Sequence, residues 1–278
     1  MFATPNSGSV RQLARASQRW QRVLVRGLCL AGIVFWFCAG AGAAETNLIT
    51  TNSFPSKPLL VERAEKKLNN ARALFLANTT NATNAWQFGR ACFEWNELAK
   101  DLHQQEGIAK EGIAACRQAV ALTPKAAPAH YYLGLTIGQF ADTKRNMAAL
   151  KMVKEMEHEF NATRELDEHF DYGGADRNLG LLYHQAPTII SIGSRSKARQ
   201  HLQRAIELAP EFPENRLNLI ETLLEWGDHD DARRELKALE KIWPEAQTKL
   251  TGENWEAGWP DWQKRLDAAK KKSAVGSK

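Results

Sequence analysis

Four residues have the chemistry for a metal site: His158, Asp167, His169 and Asp171, all within the run "HEFNATRELDEHFD". A zinc site needs histidines one helical turn apart, or an HExxH run, with further ligands converging on them. Here the two histidines are eleven residues apart among acids of a solvated run, so no metal is expected. Ser191 and Ser194 flank Gly193 in "ISIGSRS", the only nucleophile setting of note, but no GxSxG elbow surrounds them. The run reads instead as a loop closing against a scaffold, with Ser196 capping a helix that begins near Lys197. Cys92 and Cys116 fall on neighbouring expected helices, about equally far from the turn between them. They suit either a disulfide, in a compartment that permits one, or two small buried hydrophobes. Arg177 has Asp171 and Asp176 within reach as ion-pair partners. No catalytic residue and no cofactor emerge, and an enzyme is not expected.

The elements that hold these residues begin with a leader. The chain has 278 residues and a formal charge of +5. Five arginines, Arg11, Arg15, Arg19, Arg22 and Arg26, lie in residues 1–44, which contain no acid. Removing those five from 37 leaves 32 basic residues against 32 acidic ones, so bulk charge gives no reason to invoke nucleic acid. The arginines precede the apolar run "LCLAGIVFWFCAGAGAA", residues 28–44, and small residues close it at Ala41, Ala43 and Ala44. That is the layout of an export signal, cleaved near Ala43/Ala44, or of an uncleaved anchor that tethers the protein to a membrane through residues 28–44. Either way the rest of the chain is expected outside the cytoplasm, in the periplasm or at the envelope. A polar linker, 45–58, with Asn, Thr and two prolines follows.

From residue 59 the pattern is helical throughout, and no window alternates as a strand would. "SKARQHLQRAIELAP" ends at Pro210 and "DDARRELKALEKIWP" at Pro244, 34 residues later. Ala198 corresponds to Ala232, Leu202 to Leu236 and Ala205 to Leu239, and proline is expected to end each helix. An earlier copy, "EGIAACRQAVALTP", carries Gly112, Cys116, Ala119 and Pro124 in the same register, and the Leu133-Gly134 step recurs as Leu179-Gly180. The opening helix, "AWQFGRACFEWNELAKDL", lacks that step, and Ile220 replaces the glycine in the last copy. The pattern resembles the tetratricopeptide repeat, a helix-turn-helix unit of about 34 residues. Glycine and alanine in this register let paired helices approach closely, and proline cannot donate the next helical hydrogen bond. The resemblance implies an all-α solenoid of helical hairpins, a right-handed superhelix, with hairpins at about 85–124, 127–160, 173–210 and 213–244. A capping helix at about 260–272 and a tail at 273–278 would close it, with Trp262, Leu266 and Ala269 on one face. Two stretches exceed the repeat: the run 145–177, read as a lengthened second helix with a loop, and the loop Ala186 to Ser196.

The runs "RAIELAPEFPENRLNLIETLLEWGDHDDARREL" and "YGGADRNLGLLYHQAP" are also similar to a subgroup of exported bacterial repeat proteins. These are the T components associated with tripartite ATP-independent periplasmic (TRAP) transporters. In tetratricopeptide arrays the first helices of the hairpins line a concave groove. That register implies groove positions at Tyr131, Leu135 and Gln139, then Arg177, Leu181, His184 and Gln185, then Leu217, Glu221 and Glu225. Arginine, tyrosine and glutamine there could hold a peptide terminus or a carboxylate. The structural alternative is that extra helices from the long insertions fill the groove, the reading preferred for each of these residues and most of all for Tyr131 and Leu135. The expected function is a non-enzymatic scaffold that presents its surface, and the Ala186 to Ser196 loop, to an envelope protein or peptide. A carrier enclosing a small solute near Arg177 and Tyr131 is the alternative.

Overall fold

The computed structural model describes residues 57–144 and 147–275. The expected export signal or anchor and all but the last two residues of the expected polar linker lie outside them. The described residues form ten helices and no strand: α1 (Lys57–Ala77), α2 (Ala82–Asn96), α3 (Leu102–Leu122), α4 (Ala127–Asp142), α5 (Met147–Leu166), α6 (Phe170–Gln185), α7 (Arg195–Leu208), α8 (Pro213–Glu225), α9 (His229–Lys249) and α10 (Trp259–Val275). None of the described helices is long and apolar enough to cross a membrane.

Helix starts follow local chemistry. Asn81, Asp101 and Ser194 each accept a hydrogen bond from the backbone N–H three residues on, satisfying donors that a helix N-terminus leaves free. The cap of α7 is therefore Ser194 rather than Ser196, because the helix starts two residues earlier than the sequence indicates. Pro128 and Pro213 sit in the first turns of α4 and α8, where no N–H is needed.

The helices pair as α2 with α3, α4 with α5, α6 with α7 and α8 with α9. Each second helix also packs on the first helix of the next pair. Helix α10 packs mainly on α8, in the place a fifth hairpin's first helix would take, and α1 packs on α2 as an unpaired leading helix. The close contacts fall on the small residues. A Cβ at Gly134 would lie 2.7 Å from the Phe160 ring, and one at Gly180 would lie 2.6 Å from Leu202 Cγ. Ala198, Ala205 and Ala232 are fully buried. Gly89 plays the same part in the first hairpin, where a Cβ would meet Cys116 Sγ at 2.1 Å. Its preceding residue is Phe88, so a search for Leu-Gly passes over it.

Two further readings change. Pro124 and Pro210 lie just beyond α3 and α7, but Pro244 lies inside α9, which continues to Lys249. Trp243 and Ala246, on either side of it, are buried in the cluster that holds Trp262 and Leu266, so cap packing carries the helix past the missing hydrogen bond. The excess in the second hairpin goes into a long second helix as read, α5 running for 20 residues, but the loop expected after it is reduced to the short connector before Phe170.

Candidate functional site

The start of α6 breaks the helical pattern. Asp171 (φ 52°), Tyr172 (φ 58°) and Gly173 (φ 72°) all occupy the left-handed region, unfavourable for the first two by roughly 1–3 kcal/mol each. A buried polar cluster holds them there. Arg177, one helical turn further on, donates from Nη2 to Asp171 Oδ2 (2.5 Å) and from Nη1 to the Asp171 carbonyl (3.1 Å), the Tyr172 carbonyl (3.4 Å) and Asn215 Oδ1 (3.1 Å). Tyr131, from α4, donates its hydroxyl to Asp171 Oδ2 at 2.5 Å and accepts from Arg177 Nη2 and Asn178 Nδ2, each at 3.2 Å. Asn215, from α8, donates to the carbonyls of Tyr172 (2.9 Å) and Ala205 (2.8 Å). Tyr131, Arg177 and Asn215 are wholly buried. Burial and the neighbouring Asp171 carboxylate lift the Tyr131 phenol well above its ordinary range. A fixed fork of donors suits these divergent acceptors, and an ammonium would not.

A second buried group adjoins the first. Arg265, from α10, makes a two-pronged bond to Glu221 (2.9 and 2.8 Å) and donates to Asn218 Oδ1 at 2.6 Å. Its Nη1 stands 3.8 Å from Glu214 Oε1. Glu214 is wholly buried with neither oxygen hydrogen-bonded, and Arg177 Nε, Asn218 Nδ2 and Arg265 Nη1 are also buried without a hydrogen bond. Desolvation outweighs the attraction of Arg177 and Arg265 and pushes the Glu214 carboxyl up to about 7.

The structure thus brings Tyr131 and Arg177 together, with Asp171 rather than Asp176 as the arginine's partner. Asp176 bonds His201 at 2.7 Å. Leu135 is buried in the central apolar cluster. Gln139 is buried and donates to the Phe93 carbonyl (3.0 Å) and Glu97 Oε1 (2.9 Å). His184 bonds Glu225 at 2.8 Å and lies edge-on to Trp226, while Leu181 and Gln185 are half-buried nearby. Leu217 is buried. His158 and His169 are exposed, and among the described residues no three His, Cys, Asp or Glu side chains are placed to hold a metal ion.

Cys92 and Cys116 are buried free thiols. Cys116 Sγ sits over Gly89, and Cys92 Cβ sits over Gly112, so each cysteine faces a glycine across the α2–α3 contact. Burial raises both thiols well above the ordinary range.

Arg265, Glu214, Asn215 and Asn218 escaped sequence reasoning. The signal was present for Arg265, which lies among Trp262, Leu266 and Ala269 on the apolar face of α10. Glu214 gives no such signal, because an acid in the first turn of a helix is favoured by the helix dipole whether or not it is buried.

The loop 186–194 between α6 and α7 has the opposite character. Ser194 N donates to the Tyr183 carbonyl (2.9 Å), and Ser191 N (3.1 Å) and Gly193 N (3.4 Å) donate to the Pro187 carbonyl. A Cβ at Gly193 would lie 1.9 Å from the Ala186 oxygen, so only glycine fits. This pinned loop displays Ile189, 94% exposed, and Ile190, 57% exposed, and carries no charged side chain.

Comparison with known proteins accords with this architecture. The tetratricopeptide-repeat model matches residues 193–247, and the model of the TRAP transporter T-component matches residues 59–217, more than half of the chain. The chain belongs to the TRAP transporter T-component family. A thermophilic tetratricopeptide-repeat protein of Thermus thermophilus shares 17% identity with this T-component-family chain. Its crystal structure superposes with a TM-score of 0.54 over 77% of this chain and 99% of that one. MamA (16% identity, TM-score 0.47, 69% and 95% covered) and YrrB, described as having an unusual peptide-binding site (18%, 0.43, 74% and 92%), also match. No curated protein matches significantly.

Proposed function

We propose that this T-component-family chain is a non-enzymatic, exported scaffold that docks an envelope protein partner of a TRAP transporter. The observation that carries the reading is the pinned loop with Ile189 and Ile190 in solvent. A rigid apolar pair loses little conformational freedom on binding, so burying it in a socket on a partner yields net affinity. The groove-register residues Tyr131 and Arg177 support it from the other side, because the Tyr131 hydroxyl and both terminal nitrogens of Arg177 are engaged by Asp171, Tyr172 and Asn215 and only Arg177 Nε is left without a hydrogen bond. They brace the array for recognition by its outer features. The leader proposed at residues 1–44 would deliver the chain to the periplasm or hold it at the membrane.

The test is cross-linked affinity capture from the native envelope, comparing wild type with Ile189→Asp/Ile190→Asp. The scaffold reading expects a defined protein partner that the double variant loses while its far-ultraviolet circular dichroism is unchanged. Equal capture by both proteins would remove the loop from the reading, and absence of any protein partner would remove the reading itself. The carrier alternative rests on the polar atoms without hydrogen bonds around Glu214, Asn218, Arg177 and Arg265, which offer donors and an acid to a small polar solute.

A further inference from the structure

The two ends of the array touch. Arg63 Nη1, in α1, lies 2.6 Å from Glu256 Oε1 in the connector between α9 and α10, across 193 residues of sequence. Lys67 Nζ lies 3.9 Å from Glu253 Oε1 in the same connector. The connector itself is anchored, because Trp255 is buried against Tyr172, Phe212 and Trp262.

Helix α1 is held unequally along its length. Its second half packs: Leu68 is buried with Phe88, Ala91, Cys92 and Ile108, Phe75 stacks on Phe88 at 5.4 Å, and Arg72 pairs with Glu111 at 2.8 Å. Its first half packs only partly, with Leu60, Val61 and Ala64 half-buried. No side chain from 58 to 67 is buried, and the ion pairs to Glu256 and Glu253 are what tie this half to the far end of the chain. Both partners of the closer pair keep about a third of their surface in solvent, 33% and 34%, so salt reaches them.

We propose that the first half of α1 is an electrostatic strap that fastens the leading helix to the α9–α10 connector and comes away without unfolding the hairpins. The division between the halves falls at Leu68, where apolar packing begins. Residues 58–67 release as a unit because no fully buried side chain has to be withdrawn, only the half-buried Leu60, Val61 and Ala64, and α2 to α10 keep their core because the buried residue of α1, Leu68, lies in its second half. Fastened, the strap fixes the distance between the ends of the array. Released, it lets the array open to a partner, a consequence that rests on the scaffold reading given above.

Hydrogen–deuterium exchange on the purified full chain tests the strap without any partner, so its outcome is independent of the capture experiment. Arg63→Glu/Lys67→Glu should raise exchange of the backbone amides of residues 61–67 about three- to tenfold, the range expected for losing two exposed ion pairs. Raising salt from about 0.05 M to about 1 M should do the same to wild type in smaller measure. Amides of α2 to α10 should keep their protection. The charge swap, which adds Glu256→Arg and Glu253→Lys, should return residues 61–67 toward wild-type exchange. Unchanged exchange at 61–67 in the double variant would overturn the strap. So would an equal rise across α2, which would make α1 part of one cooperative unit, or failure of the swap to restore protection.

Discussion

Glu214→Gln is the substitution whose effect the structure sets most sharply. Glu214 is wholly buried with neither carboxylate oxygen hydrogen-bonded, and desolvation raises its pKa from 4.5 to about 7. The folded chain therefore holds this proton more tightly than the unfolded chain does. Its contribution to stability is fully present below about pH 4.5 and is lost as pH rises through about 7. The difference between 4.5 and about 7 corresponds to about 3 kcal/mol. The charges facing it are Arg177 and Asp171 from α6 and Arg265 and Asp261 from α10, and their action on an ionised Glu214 is already contained in the value of about 7. Equilibrium urea unfolding from about pH 4.5 to 8, followed by circular dichroism and tryptophan fluorescence, gives both profiles. The stability of Glu214→Gln relative to wild type should climb by about 3 kcal/mol across that range. Parallel profiles would refute the reasoning. A difference of opposite slope would mean that the two guanidiniums outweigh desolvation and that Glu214 is a paired carboxylate.

Other perturbations follow from the same contacts. Arg177→Met leaves Asp171 and Tyr131 buried without their cation and should cost roughly 3–5 kcal/mol in urea unfolding. Arg177→Lys should recover little of this, because one ammonium cannot reach Asp171, Asn215 and Tyr131 together. Gly134→Ala places a methyl 2.7 Å from the Phe160 ring. It should destabilise by about 1–3 kcal/mol, although alanine favours a helix by about 1 kcal/mol; equal or greater stability would mean that α4 and α5 are less tightly packed. Cys92 and Cys116 should resist a thiol reagent in the folded chain and react fully in denaturant, with no disulfide in non-reducing mass analysis. N-terminal sequencing of the envelope form should begin close to Ala44 or Glu45 if the leader is removed.

The solenoid was legible because its signals are local and repeated. Ala198 and Ala232, 34 residues apart, occupy equivalent contacts, and Gly134 and Gly180 mark the same close approach in two hairpins. Where one local rule was traded for tertiary packing, the reading failed. Pro244 is carried inside α9 by the tryptophans of the cap, and Gly89 hides behind a phenylalanine that does leucine's work. Tyr131 and Arg177, both at groove-register positions, do meet in space, but periodicity cannot say whether a position faces water or a neighbouring segment. What covers these two is the left-handed turn Asp171–Gly173, and nothing in a single sequence marks two non-glycine residues for that conformation. The Arg265–Glu221–Asn218 contacts join residues 44 and 47 apart, a pairing that only the stacking of α10 on α8 creates.

The central claim is that Arg177 and Tyr131 are spent on holding the array's shape, leaving recognition to the exterior. Native mass spectrometry of the protein gently purified from its native source tests this most directly. The account predicts the mass of the polypeptide alone, with no stoichiometric small molecule, for wild type and for a folded Tyr131→Phe variant alike. A solute retained by wild type and lost from Tyr131→Phe would contradict it and make the buried cluster a binding site.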